Sequence, residues 1–312
     1  MKLISIAIPV YNEEDNIPKL HQRLNDVLKQ LESKYLFECI ILDNRSSDKT
    51  ITIAKDICFK DNRWRYIRYS RNFGSEASLL AGLDFANGDV VINLFSDLQD
   101  PPELIPKLLE KFELGYDVVY GVVRKRNDAS ILKTIGAHAA YWLIYRITDC
   151  SIPPNATDYR LLSKKVYTQL RELRESDRYM RGLIHWIGFN KVGIDYDREP
   201  RFLGKSEANI YFCLSFAVNA IVSFSSRPLR WVFIFGITLT FFSVILTLIY
   251  IILHFYPIHY FPVPSAGITT AILLILLVLG INSLFLGIIG EYIARIYSQG
   301  KKRPIYIVDE IL

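Results

Sequence analysis

Short apolar runs of strand length alternate with apolar positions at helical spacing through the first part of the chain. Ile4 to Ile8 is a β-branched run that predicts a first strand ended by Pro9. Ile17, Leu20, Leu24, Val27 and Leu28 then repeat at a helical period within Asn16 to Leu31. Phe37 to Leu42 predicts a second strand and Asp48 to Cys58 a helix, with Ser46 or Ser47 as its N-cap. Arg65 to Arg68 predicts a short strand and Ser75 to Phe85 a helix. Val90 to Leu94 predicts another strand, Pro102 to Phe112 a helix with Pro in its first turn, and Val118 to Gly121 a strand. This β-α-β-α order predicts an α/β fold, a Rossmann-like, mainly parallel sheet whose ligands sit at the C-terminal ends of the strands.

The pattern changes after about residue 205. Trp231 to Leu253 is an uncharged run of about 23 residues and Ala266 to Gly290 one of about 25, each long enough to cross a bilayer core. His254 to Ser265, between them, holds no Lys or Arg, whereas Arg227, Arg230, Arg295, Lys301, Lys302 and Arg303 flank the pair. The bias of basic residues predicts an α-helical transmembrane hairpin, with the N-terminal domain and both termini cytoplasmic. Ile210 to Phe224 is apolar and aromatic but too short to span, and reads as an interfacial helix. The expected organisation is a cytoplasmic α/β domain over 1–205, an interfacial amphipathic helix over 206–228, two transmembrane helices over 229–290 and a cytoplasmic tail over 291–312.

Composition agrees with this division. The 312 residues are 51% hydrophobic, and mean hydropathy is +0.19. The net charge of +5 is too mild to argue for nucleic acid as a partner, and basic residues beside the apolar runs account for it. The four cysteines, Cys39, Cys58, Cys150 and Cys213, form no C-x-x-C pair, which argues against a metal or disulfide framework and fits a reducing compartment. The apolar run at Met1 to Ile6 is too short for a signal peptide.

Three polar, acidic segments fall at expected strand ends: Pro9-Val10-Tyr11-Asn12-Glu13-Glu14, Asp43-Asn44-Arg45-Ser46-Ser47-Asp48, and Ser96-Asp97-Leu98-Gln99-Asp100-Pro101-Pro102-Glu103. Any one of them could be a helix cap alone. Convergence of all three on one sheet edge points to a ligand site.

These segments, with Arg71-Asn72-Phe73-Gly74, Tyr116 to Gly121, Asp158-Tyr159-Arg160 and Arg201 to Ser206, give the chain its resemblance to glycosyltransferase family 2. Within the family it resembles the polyprenyl-phosphate enzymes, the dolichol-phosphate mannose synthase and bactoprenol glucosyltransferase group. The resemblance runs nearly end to end. It implies a GT-A fold and an inverting glycosyltransferase that moves one sugar from a nucleotide-sugar, UDP-glucose foremost, onto polyprenyl (undecaprenyl) phosphate at the inner or plasma membrane. Pro9, Tyr11, Glu13, Asp43 and Asp97 would bind the donor, and Asp97 and Gln99 would hold a divalent metal, Mg²⁺ or Mn²⁺, on its pyrophosphate. Asp97 and Asp158 would be the catalytic carboxylates, Asp158 positioning the sugar or assisting the acceptor, with a salt bridge to Arg160 as its plainer role. Arg124, Arg126, Lys133, Arg201 and Ser206 would draw in the acceptor phosphate, which as a phosphomonoester is already largely dianionic and needs no strong base. The resemblance further implies a homo-oligomer, a tetramer, with a flippase and a second glycosyltransferase acting downstream.

The sequence departs from the family's pattern at four places. Phe95 stands where the first Asp of a D-x-D is usual, Arg45 where a Gly is usual, Ser75 where a Lys is frequent, and Glu207-Ala208 where Lys and an aromatic residue are usual. Transfer of mannose from GDP-mannose is the alternative activity. A catalytically silent, membrane-anchored scaffold is the alternative of another class, motivated by Phe95 and Ala208. A processive polysaccharide synthase is rejected, because Arg230-Trp231 lacks the Gln of that group's Q-x-x-R-W motif and opens an apolar span.

Overall fold

The computed structural model describes residues 1–124, 153, 155–176, 178–199, 222, 225–255 and 267–312. They form two compact units, Met1–Ser223 with Lys302–Leu312, and Phe224–Lys301. Residues 206–221, 223 and 224 of the expected interfacial helix, together with Arg126, Lys133 and Arg201, lie outside the described residues; Ser206 is among them, and Arg227 and Pro228 already belong to the first long helix.

The first unit is built on one eight-stranded sheet. Its elements in chain order are β1 (Lys2–Val10), α1 (Ile17–Leu31), β2 (Tyr35–Asp43), α2 (Thr50–Lys60), β3 (Trp64–Tyr69), α3 (Ser75–Phe85), β4 (Val90–Asn93), a 3₁₀ turn (Pro102–Leu104), α4 (Ile105–Glu113), β5 (Val118–Val123), β6 (Ala156–Ser163), α5 (Lys164–Glu172), α6 (Met180–Trp186), β7 (Lys191–Tyr196) and β8 (Val308–Ile311). Their order across the sheet is β7-β5-β6-β4-β1-β2-β3-β8. Strands β4, β1, β2 and β3 pair in parallel, as do β5 and β7. Only β6 and β8 run against the rest. The sheet is therefore mostly parallel, as the alternation of patterns predicts. Because β6 is reversed, its N-terminal end comes to the edge where β1, β2 and β4 have their C-terminal ends.

Ile4, Ile6, Ile8 and Val10 of β1 pack into one cluster with Ile17, Leu20, Leu24 and Leu28 of α1 and Leu108 of α4. On the other face α3 lies so close to β1 that a Cβ on Gly82 would stand 2.6 Å from the Cβ of Ala7. Glycine there is a requirement of close packing.

Three local expectations are corrected. Pro9 does not end β1 but lies inside it, opposite Leu42. Ala7 and Pro9 turn their backbone groups toward β4: the Ala7 carbonyl accepts the Leu94 N–H and the Pro9 carbonyl accepts the Ser96 hydroxyl. Strand β4 has already ended there, so the N–H that Pro9 lacks has no ladder partner to lose. Second, α2 begins at Thr50, and neither Ser46 nor Ser47 caps it. The Ser46 hydroxyl instead accepts the Asn12 N–H at 2.9 Å, while an Asp48 oxygen takes the Thr50 N–H. Third, residues 291–312 are not simply a tail. The second long helix continues to Gly300, and β8 adds an antiparallel edge strand to β3.

The second unit holds two long helices, α7 (Arg227–Phe255, 29 residues) and α8 (Gly267–Gly300, 34 residues). Both are long and apolar enough to cross a membrane. Phe235 and Phe285 meet edge to face with ring centroids 5.5 Å apart, and the Tyr292 hydroxyl donates to the Ser225 carbonyl at 2.7 Å.

Candidate active site

The turns after β1, β2, β3 and β4 form one rim, and side chains hold them together. Asn12, Arg45 and Leu98, one in each of three turns, adopt left-handed backbone with φ of 53°, 68° and 58°. Such conformations are unfavourable for residues with a Cβ and persist where surrounding contacts impose them. Here the contacts are explicit. The Ser47 N–H donates to Asn12 Oδ1 at 2.8 Å, the Glu13 N–H to Thr50 Oγ1 at 2.8 Å and the Lys49 N–H to Glu14 Oε2 at 2.8 Å. Asn44 bridges to the turn after β3, accepting the Phe73 N–H at 2.9 Å and donating to the Gly74 carbonyl at 3.0 Å.

Asp43 is the buried pivot of this rim. It is fully buried, with one oxygen accepting the Ser46 N–H at 2.8 Å and the other the Tyr66 hydroxyl at 2.6 Å, while Arg68 stands 3.5 Å away. Its carboxylate holds the turn in shape. Tyr11, by contrast, is 45% exposed on the rim, and Glu13 accepts from the Asn16 side-chain amide. Pro9 supports the floor through its carbonyl, which fixes Ser96.

The acidic segment after β4 divides its polar groups between structure and site. Asp100 is buried and accepts the Tyr196 hydroxyl, with Arg198 at 3.4 Å. Burial raises its pKa from the ordinary value, and Arg198 and Tyr196 act against that rise. The Pro101 carbonyl accepts the Tyr159 hydroxyl at 3.0 Å. Glu103 is forked by Arg23 at 2.9 and 2.7 Å, and the same guanidinium reaches Glu199. Asp97 and Gln99 remain half-exposed on the rim, the Gln99 N–H donating to Asp97 Oδ1 at 3.2 Å. Among the described residues no group of three or more His, Cys, Asp or Glu could hold a metal by itself. One carboxylate and one amide oxygen fit a Mg²⁺ or Mn²⁺ ion that takes its remaining ligands from substrate phosphate and water.

Asp158 completes the rim from the N-terminal end of β6. Asn93 is opposite Arg160 in the β4–β6 register, which carries Asp158 past the end of β4 to the level of the acidic segment. The salt bridge to Arg160 is present at 2.8 Å. A second and larger one joins it: Arg181, on α6, donates through Nε at 2.9 and 3.0 Å and through Nη2 at 2.6 Å. Burial pushes the Asp158 carboxyl up, but Arg181 and Arg160 more than reverse this and hold it at about 2. Beside it, partly buried Glu76 accepts the Met180 N–H at 2.9 Å. Burial, and then the Asp158 charge, push its carboxyl up to about 7.

Of the expected acceptor-phosphate residues, Arg124 lies at the end of β5, exposed, with Asp195 at 3.6 Å. Sequence reasoning missed Arg181, Glu76, Tyr196 and Arg198. A lone Arg in a seven-residue helix and a lone Glu in the first turn of another carry no motif. Only the reversal of β6 brings them together.

Comparison with known proteins bears on the family and the fold. The family model described as "Glycosyl transferase family 2" matches residues 5–171. The chain is 39% identical over 310 residues, covering 99% of itself and 95% of the relative, to an uncharacterized glycosyltransferase of Synechocystis sp.. It is 34% identical over 312 residues to the bactoprenol glucosyl transferase of Shigella phage SfV, covering 98% and 97%. Among solved structures, mannosyl-3-phosphoglycerate synthase from Rubrobacter xylanophilus aligns with a TM-score of 0.50 at 14% identity over 74% of each chain. That likeness concerns the fold, and the catalytic unit has the mixed, mostly parallel sheet of GT-A type.

Proposed function

The chain belongs to glycosyl transferase family 2, and from that premise we propose that it moves one glucose from UDP-glucose onto polyprenyl (undecaprenyl) phosphate at a membrane, with inversion of the anomeric carbon. The observation that carries this reading is the extent of the likeness to bactoprenol glucosyl transferases, which takes in both the rim and the two long apolar helices. Product of this kind would be consumed by a flippase and a second glycosyltransferase, and the enzyme would act as a homo-oligomer.

The residues divide the work as follows. Exposed Tyr11 offers the nucleotide base a ring to stack on, while Asp43 and Asn44 hold the turn whose main chain closes around it. Asp97 and Gln99 would hold the divalent ion, which when bound neutralises charge on the departing nucleoside diphosphate. The acceptor phosphomonoester has a second pKa of about 6, so it arrives largely dianionic and attacks without surrendering a proton. Arg124, Arg126, Lys133, Arg201 and Ser206 would orient it, the guanidinium forks matching phosphate oxygens. Asp158 would face the sugar as a fixed anion.

The deciding assay offers purified protein in detergent three labelled donors (UDP-glucose, UDP-GlcNAc and GDP-mannose) with undecaprenyl phosphate, and follows label into the organic-solvent extract. UDP-glucose alone should label the lipid. Labelling from GDP-mannose alone would replace glucose by mannose in this reading, and no lipid labelling from any donor would overturn it.

A further inference from the structure

The proposed mechanism gives no duty to the charged side chains that surround Asp158. Both oxygens of that carboxylate are occupied. Oδ1 accepts Arg160 Nη2 at 2.8 Å and Arg181 Nε at 2.9 Å, and Oδ2 accepts Arg181 Nε at 3.0 Å and Nη2 at 2.6 Å. A carboxylate has about four lone-pair sites, and three N–H groups engage both of its oxygens, the single Arg181 Nε–H being shared between them. Arg181 is itself held in place, because the preceding residue, Met180, donates its N–H to Glu76 of α3 at 2.9 Å and is buried. The clamp thus runs from α3 through α6 to β6.

We infer that Arg181 is a positioning residue that withholds Asp158 from proton transfer, so that the site accepts glycosyl acceptors that are already ionised and discriminates against water and alcohols. This rests on the proposed transfer to a lipid phosphate, and it names what makes that transfer selective. Transfer to a phosphate dianion forms the bond from phosphate oxygen to the anomeric carbon as the bond from that carbon to the nucleoside diphosphate breaks, and no proton has to move. Hydrolysis replaces the phosphate oxygen by a water oxygen, and that water must shed a proton to a base. Asp158 is the carboxylate at the right end of β6 to receive it, and the two guanidiniums occupy the oxygens that would do so. The charged groups facing Asp158 are Arg160 on its own strand, Arg181 on α6, Glu76 on α3, and Arg198 and Asp100 from the segments after β7 and β4. The net cationic surroundings keep it ionised.

The test compares donor hydrolysis in the absence of acceptor with transfer to undecaprenyl phosphate, for the wild type, Arg181→Gln, Arg181→Lys and the double variant Arg181→Gln/Asp158→Asn. General-base assistance contributes about 10²–10⁴-fold, so even partial release of Asp158 should raise the ratio of hydrolysis to transfer by about tenfold or more in Arg181→Gln. The increase should disappear in the double variant, where an amide replaces the base. Arg181→Lys keeps the charge but loses the fork, and should give a smaller increase; it also serves if Arg181→Gln does not fold. An unchanged ratio in both single variants, with transfer and hydrolysis falling together, would mean that Arg181 is merely structural and would overturn the inference. Persistence of the gain in the double variant would overturn it too. Wild-type protein that hydrolyses donor but never labels lipid phosphate would sink the proposed function instead, while the hydrolysis arm still decides the role of Arg181.

Discussion

Asp97 and Asp100 are three positions apart and have opposite duties. Asp100 is buried among Tyr196 and Arg198, so it holds the turn, whereas Asp97 is half-exposed and available. Asp97→Asn should therefore abolish most turnover while leaving the melting temperature nearly unchanged, and EDTA should silence the wild type until Mg²⁺ or Mn²⁺ is restored. Full activity of Asp97→Asn in excess chelator would remove Asp97 from the metal site. The two carboxyls of the clamp also differ, in the sign of their pH dependence. The folded-state pKa of Glu76, about 7, lies above its ordinary 4.5, so its contribution to stability is full below 4.5 and is lost as pH rises through 7. That of Asp158, about 2, lies below its ordinary 3.8, so its contribution is present above 3.8 and is lost as pH falls toward 2. Melting temperatures at pH 5 and pH 8 should show wild-type protein losing more stability over that interval than Glu76→Gln. Equal losses would show that Glu76 is not held protonated.

At the scale of elements, the strands with an uninterrupted apolar run were legible because burial on both faces writes itself into the sequence. The three polar turns were legible because they interrupt that pattern at strand ends. Most elements after β5 were not, and strands β6 and β8 show why. Strand β6 carries Asp158, Tyr159 and Arg160 in succession, and its direction follows from pairing with β4 and β5, which no local pattern encodes. Strand β8 is a short Val-Asp-Glu-Ile stretch whose charges suit an edge strand and equally suit a solvated tail. Its attachment is nonetheless extensive. Leu312 and Tyr66 exchange backbone hydrogen bonds of 2.8 and 3.0 Å, and the Ser70 N–H donates to the Ile307 carbonyl at 2.9 Å. Lys55 pairs with Glu310, Arg45 with Asp309, and the Tyr306 hydroxyl donates to Asp84 at 2.6 Å. Deleting residues 307–312 removes at least those three backbone bonds, each worth about 0.5–1.5 kcal/mol net. The first unfolding transition should then fall by about 3–18 °C, since 1 kcal/mol shifts a unit of this size by about 2–4 °C. A change below 1 °C would mean that β8 is a passive cover on the β3 edge.

For the whole molecule, the sheet and the helix lengths bear jointly on topology. At about 1.5 Å per residue, 29 and 34 residues make helices of about 44 and 51 Å, more than the hydrocarbon core of about 30 Å requires. The surplus of α8 is where charge returns, at Glu291 and Arg295, paired at 3.3 Å one turn apart. Large apolar side chains such as Phe233, Phe241, Leu279 and Leu286 are more than half exposed on the two helices, a surface that lipid would cover at no cost and water would not. Strand β8 adds a constraint that charge counting lacks. Residues 308–311 belong to the same sheet as residues 2–10, so a chain that enters a membrane between these segments would have to cross it an even number of times. Two crossings would put the segment 256–266, which has no Lys or Arg, on the other side, and the bias of basic residues flanking the hairpin predicts that the sheet faces the cytoplasm. In a background with Cys39, Cys58, Cys150 and Cys213 replaced, Pro262→Cys should react in intact cells with a thiol reagent that cannot cross the membrane. Lys2→Cys should react only after permeabilisation. The reverse pattern would invert the orientation, and labelling of both in intact cells would mean that the hairpin does not span.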